Sequence, residues 1–295
     1  MLVNSYLQKL HLQNNVFNFV VNSKKMTEKF QFYENSSTFH GSVDIVMGTS
    51  FDIVITGNER SVSESAWFEI SRELKRLDKM LNRFDEQSEV SKINKSAFQE
   101  NVKISSEIWD ILMDCKLFYE KTLGLFDITL HDFSKIKFTE NGQSIRFLSS
   151  DLYLDFGGYA KGFALKKIGQ ILRKSGINQA FVNFGNSSIM GVGHHPYGDS
   201  WKVSINNPFK IGDSVDEINL NDMSMSTSGN TPTYSKHIKN PKSGKFNDAF
   251  QLVCVKAKDP LVAEVLSTAL MIADENEKEI LLKNFEVEDT KTYIF

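Results

Sequence analysis

The chain has 295 residues, with 34 Lys and Arg against 37 Asp and Glu and a formal net charge of −3. That balance exerts no global pull on nucleic acid or an anionic membrane, so an anionic ligand must be held by a local device such as a helix start or a metal. Hydrophobic residues at 41% and charged residues at 24% are the proportions of a soluble globular protein that can bury a substantial core, and no window reaches the ~18 apolar residues of a membrane span.

Residues 1–40 read as a loosely ordered N-terminal arm, polar and irregular, with room for one strand. Its apolar piece at 16–21 is interrupted by Asn18, too short for a secretory core. No cysteine follows that could carry a lipid, so the chain as written reads as cytoplasmic. Residues 41–295 read as one domain. Phe51, Ile53 and Ile55 alternate with Asp52, Val54 and Thr56, a strand that closes at Gly57-Asn58. Ser61 followed by Glu64 predicts a capping box, and Trp67, Ile70, Leu74, Leu77 and Leu81 predict an amphipathic helix over 62–82. A polar loop from Asn82 to Val90 follows. A second helix is expected over 106–122, with Gly124 just past its end, then short strands over 136–154 around Asn141-Gly142. A third helix over 159–175 stops at Gly176 and leads into a strand at 180–184. Further strands are expected at 201–205 and 250–257. Asp259 and Pro260 open another helix as N-cap and first residue, and a last helix covers 276–284. Strands and helices mix without regular alternation, so the fold class is α+β, mixed sheets flanked by helices. Cys115 and Cys254 both fall in apolar patterns and read as buried thiols without a disulfide.

Four segments carry groups suited to chemistry. In Asp155-Phe156-Gly157-Gly158-Tyr159-Ala160-Lys161-Gly162 a strand over 152–155 runs through paired glycines into a helix; free N–H groups there attract anions, although a packing turn accounts for the glycines equally well. Glu264 and Thr268 lie one turn apart on one helix face, oxygen donors suited to a hard cation; in isolation they also read as an ordinary helix surface. The stretch from Thr227-Ser228-Gly229-Asn230 to His237 and Gly244 is a polar loop with a histidine able to titrate near neutrality. Leu125-Phe126-Asp127 follows a helix end. His194, His195 and Asp199 lack a third spaced metal ligand and read as surface residues.

Taken in order, Met47-Gly48-Thr49, the 81–94 loop with Ser88-Glu89-Val90-Ser91 and Asn94, Phe126-Asp127-Ile128-Thr129, the Asp155 to Gly162 segment, Asn183-Phe184-Gly185, Thr227-Ser228-Gly229, His237 to Gly244 and Glu264-Val265-Leu266-Ser267-Thr268-Ala269 resemble the ApbE-like family of FAD:protein FMN transferases. The resemblance spans roughly 42–275. It implies a fold related to the T-fold and FAD bound by Met47, Phe84, Leu125, Phe126, Asp127, Asp155, Lys161 and Ile238, with Phe84 and Phe126 flanking a ring. It implies Mg2+ held by the Gly158 carbonyl, Glu264 and Thr268, with His237 as general base. FMN would pass to a Thr or Ser of an acceptor flavoprotein with release of AMP. The sequence departs from the family pattern at Glu264 and Asn240, both usually Asp, and at Asn186, usually Gly; the family is also usually exported or lipid-anchored. The alternative is a flavin-binding protein of the same fold whose transfer is impaired. Oligomeric state and the identity of the acceptor stay open.

Overall fold

The computed structural model describes residues 26–235 and 237–295. Most of the expected N-terminal arm, including the apolar piece at 16–21, lies outside the described residues. From Glu28 onward the chain is already in a sheet. β1 (Glu28–Tyr33) pairs with β2 (Thr38–Val46), and β2 with β3 (Thr49–Thr56). The boundary expected at residue 41 therefore cuts through β2. The one strand allowed for in the arm is β1, in which Phe30 and Phe32 alternate with Lys29 and Gln31.

The main sheet has eight strands in the order β1-β2-β3-β7-β8-β11-β12-β13 and is antiparallel throughout. Its later strands are β7 (Ala180–Phe184), β8 (Ser188–Val192), β11 (Met223–Gly229), β12 (Gln251–Ala257) and β13 (Asp289–Ile294). Against one face pack α1 (Arg60–Leu81), α4 (Ala160–Lys174) and α5 (Pro260–Leu270), closing the core around Phe39, Phe51, Trp67, Ile70, Leu74, Phe184 and Leu266. Against the other face, the hairpin of β9 (Trp201–Asn206) and β10 (Ser214–Leu220) covers a second cluster with Ile189, Trp201, Leu220, Met225 and Cys254. A small sheet of β4 (Val102–Lys103), β5 (Ile136–Thr139) and β6 (Ser144–Phe147) joins α2 (Glu89–Ser96) and α3 (Ser106–Lys121) beside the main layer. The α6 helix (Glu275–Asn284) precedes β13. Helices and antiparallel sheets are mixed, as the α+β reading expects.

Two local expectations fail. The Ser61–Glu64 capping box does not form: α1 starts at Arg60, so Ser61 lies within the first turn and its side chain cannot act as N-cap. Glu64 instead faces Arg60 at 3.9 Å. The last two residues of the Asn82–Val90 loop already belong to helix α2, capped by Ser88, whose hydroxyl accepts the Ser91 N–H at 2.9 Å. Eight residues with two buried apolar side chains give too little periodicity to detect. Elsewhere the helix signals hold: Asp259 accepts the Leu261 N–H ahead of Pro260, and both cysteines are free and buried.

Candidate functional site

The segment ahead of α4 is extended but unpaired in any sheet, contrary to the strand expected at 152–155. A side chain takes the partner strand's place. Asn94, on α2, accepts the Leu154 N–H at 2.7 Å and donates to the Leu154 carbonyl at 3.0 Å. The Asp155 N–H donates to the Ile128 carbonyl at 2.7 Å, tying this strand-like piece to the 125–130 turn. Asp155 then caps the glycine turn. One carboxylate oxygen accepts the Gly157 N–H at 2.9 Å and the other faces Arg83 Nε at 2.9 Å. The Arg83 guanidinium also lies 4.1 Å from the Phe84 ring centre and 5.4 Å from that of Tyr153.

Beyond the turn, α4 and α5 approach so closely that a Cβ on Gly162 would lie 2.7 Å from Glu264 Cβ and 2.9 Å from the Pro260 carbonyl. Only glycine fits, and the contact brings the first turn of α4 over Glu264. The Lys161 ammonium forms an ion pair with Glu264 Oε1. Glu264 Oε2 accepts hydrogen bonds from the hydroxyls of Ser188 and Ser226, the latter at 2.9 Å; these serines are register partners on β8 and β11. The residue is 3% exposed, so its charge is compensated almost wholly from within the protein. One turn on, Thr268 Oγ1 lies 3.3 Å from the Glu264 carbonyl and 3.3 Å from Ser228 Oγ. A Cβ on Gly158 would stand 3.5 Å from that same threonine oxygen, so the turn and α5 meet here.

The loop between β11 and β12 closes the site from a third side. Fully buried Asn230 staples its base by donating to the carbonyls of Asn247, at 2.9 Å, and Ala249, at 3.0 Å. Lys239 Nζ donates to the Leu130 carbonyl at 3.1 Å, which seats the loop on the same turn that holds Asp155, and Ile238 is buried beneath it. His237 stacks on Tyr234 with ring centres 4.0 Å apart. The partial burial of its ring holds the imidazole pKa below the ordinary value. The Tyr234 hydroxyl is pushed up, first by burial and then by the negative charge of Asp155, which faces this loop.

The residues singled out in the sequence thus meet in unequal ways. Lys161, Glu264, Thr268 and Gly158 are linked by direct contacts, Asp155 caps the same glycine turn, and His237 and Ile238 lie on the β11–β12 loop. Phe84 is 74% exposed beside the Arg83–Asp155 pair, whereas Phe126 is buried edge-on against Phe118, so the two rings do not present matching faces. Leu125 is buried too. The Asp127 carboxylate is buried and takes three donors, the N–H groups of Thr129 and Phe133 and the Thr129 hydroxyl; burial nonetheless raises its pKa. Leu125, Phe126 and Asp127 therefore shape the turn rather than offer open side chains. Met47 sits in the β2–β3 turn with φ +50°, its N–H donating to Asp78 at 3.0 Å near the end of α1.

The departures have local explanations. Asn240 accepts the N–H groups of Lys242 and Ser243 at 2.9 and 3.2 Å, so an amide oxygen does the turn-capping that a carboxylate could do. Asn186 has φ +57° and exchanges two hydrogen bonds with Asn183, the non-glycine residue type that tolerates this region best. No three His, Cys, Asp or Glu side chains converge among the described residues, so a cation here would rest on one carboxylate plus hydroxyl and backbone oxygens. An all-oxygen set of Gly158, Glu264 and Thr268 fits the chemistry of a hard divalent ion.

A family model described as the ApbE family matches residues 47–144 and 130–291, most of the chain. The chain belongs to the ApbE family. Among curated relatives, an FAD:protein FMN transferase of Chlamydia muridarum is 26% identical over 207 residues, covering 60% of this chain and 63% of that protein, a little under two thirds of its length. One of Haemophilus influenzae is 23% identical over 285 residues, covering 81% and 82%. The solved flavin transferase ApbE from Vibrio cholerae superposes with a TM-score of 0.74 at 21% identity over 88% of this chain and 97% of that one, which establishes the shared fold. Within the ApbE pattern, sequence reasoning missed Arg83, Ser188 and Ser226 as partners of site residues. The signal for Ser226 was present: Ser224, Ser226 and Ser228 alternate along β11 and so share one face.

Proposed function

We propose that this chain is an FAD:protein FMN transferase: it splits the pyrophosphate of FAD, joins FMN to a Thr or Ser hydroxyl of an acceptor flavoprotein and releases AMP. The observation that carries the reading is the meeting of the Asp155–Gly158 turn, the Lys161–Glu264–Thr268 wall and the His237 loop in one place, in a chain of the ApbE family. Asp155, with Arg83, holds the glycine turn open toward ligand, and Lys161 at the start of α4 supplies positive charge for a phosphate. Met47, Phe84, Ile238 and the 125–127 turn line the flavin nucleotide, the last through backbone and shape. Gly158, Glu264 and Thr268 would hold Mg2+, which when bound neutralises charge developing on the pyrophosphate oxygens. His237, whose partial burial favours the neutral imidazole, accepts the proton of the acceptor hydroxyl as that oxygen bonds to phosphorus and the bond to the AMP oxygen breaks. No helix among the described residues is long and apolar enough to cross a membrane.

One observation favours a second reading, flavin binding with impaired transfer: the Glu264 carboxylate is already fully engaged by Lys161, Ser188 and Ser226. Incubation with FAD, Mg2+ and a Ser/Thr acceptor peptide, followed by intact mass and AMP assay, separates the two. An FMN adduct with matching AMP is expected, and neither should appear for His237→Ala although FAD still binds. Tight FAD binding without adduct or AMP in the unmodified protein would establish the second reading instead.

A further inference from the structure

The partners of Glu264 are divided between its two oxygens. Oε2 is taken by the cross-strand hydroxyls of Ser188 and Ser226, neutral donors on short side chains fixed to paired strands of the sheet. Oε1 has the Lys161 ammonium, which sits on a flexible four-carbon stem in the first turn of α4 and retains some solvent exposure. The pair is held together by the close α4–α5 approach at Gly162. A buried carboxylate needs one compensating cation, and two cations on one oxygen repel strongly where the dielectric is low. Thr268, by contrast, is bonded only to neutral groups, and Gly158 lies against it.

We propose that Lys161 is the resting counter-ion of Glu264, and that a divalent cation gains this carboxylate only by displacing the ammonium. Lys161 then sets the affinity of the protein for the metal, and the displaced ammonium is freed at the start of α4 beside Gly157-Gly158. By linkage, metal and an anionic ligand on that turn favour one another's binding. The inference rests on the assignment of Glu264 as a metal donor and adds the exchange.

Two measurements without FAD test it. First, Mn2+ binding is read by titration calorimetry or from the free-ion EPR signal in the unmodified protein, Lys161→Met, Glu264→Gln and the double variant. The exchange predicts that Lys161→Met tightens Mn2+ by about tenfold or more, since no ammonium must be displaced, and that Glu264→Gln abolishes the gain. Unchanged or weaker binding by Lys161→Met, with Glu264→Gln still defective, would overturn the exchange while leaving the metal assignment standing. Mn2+ binding insensitive to Glu264→Gln would overturn both. Second, should Lys161→Met not fold, reductive methylation of the unmodified protein followed by peptide mass spectrometry reads the same event. Millimolar Mg2+ should raise labelling of Lys161 several-fold while leaving Lys166, paired with Asp259, unchanged. Labelling of Lys161 that is indifferent to Mg2+, or falls with it, would defeat the proposal.

Discussion

At the scale of single residues, the site is defined by how each charge is compensated. Glu264 is nearly inaccessible and is engaged by one cation and two hydroxyls, whereas Asp155 spends one oxygen on backbone and one on Arg83. The imidazole of His237 is different, because partial burial penalises only its protonated form. The sign follows directly. A histidine whose folded pKa lies below its unfolded value of 6.5 binds more protons when unfolded, so it weakens the fold as pH drops through that region and costs nothing above it. As a base it remains neutral below 6.5. The acid limb of the rate of flavin transfer should therefore fall below pH 6.5, and Tyr234→Ala, which opens the ring to water, should move it upward. An acid limb above pH 7 in the unmodified protein would contradict this environment for His237. Asp155, Lys161, His237, Glu264 and Thr268 could be singled out as candidates in the sequence because each sits in a recognisable segment. Arg83 and Ser188 were not, since their partners Asp155 and Glu264 are distant in sequence.

At the scale of elements, two contacts set the geometry. The α4–α5 crossing depends on Gly162, where an added methyl would strike the Pro260 backbone. Gly162→Ala should cost about 1–3 kcal/mol as an overpacking change, and should lower metal affinity because it parts Glu264 and Thr268 from the glycine turn. Thermal unfolding together with Mn2+ titration checks both; a stable variant with normal Mn2+ binding would show that the crossing does not position the site. The other contact is Asn94, which gives a loop the hydrogen bonding of a strand. Asn94→Ala leaves a donor and an acceptor of Leu154 unpaired, and should cost about 1–3 kcal/mol for each group kept from water. Hydrogen exchange should quicken at Leu154 and Asp155 ahead of the rest of the domain, whereas uniform exchange would point to a merely global loss. Helices with caps and long apolar stripes were readable in advance, as at Asp259-Pro260 and Trp67–Leu81. The short α2 and the unpaired run ahead of Asp155 were misread because pairing partners, not local pattern, decide such pieces.

For the whole molecule, one eight-stranded sheet carries helices on one face and a hairpin on the other, and the candidate site lies where α4, α5 and the β11–β12 loop meet above β8 and β11. β13 closes the far edge by pairing with six consecutive residues of β12, and Lys291 and Tyr293 reach across to Asp216 on β10, holding the carboxyl at about 2. A chain ending at Glu288 would bare one side of β12, which neighbours the serine-bearing β11. It should melt several degrees lower and aggregate more readily, with β12 amides exchanging fast while β2 and β3 stay protected; unaltered protection of β12 would show that β13 is dispensable. By itself the sequence determined the α+β class, the main amphipathic helices, the glycine turn and the order of the family segments, because capping, turn chemistry and hydrophobic period act over a few residues. Only the tertiary structure decided that residues from 28 onward join the sheet, that Phe126 and Asp127 are sealed in a turn, and that Lys161 pairs with Glu264 beneath two serines. Those outcomes depend on which distant strands become neighbours, and on the need of a buried charge to find its compensation wherever the fold brings it.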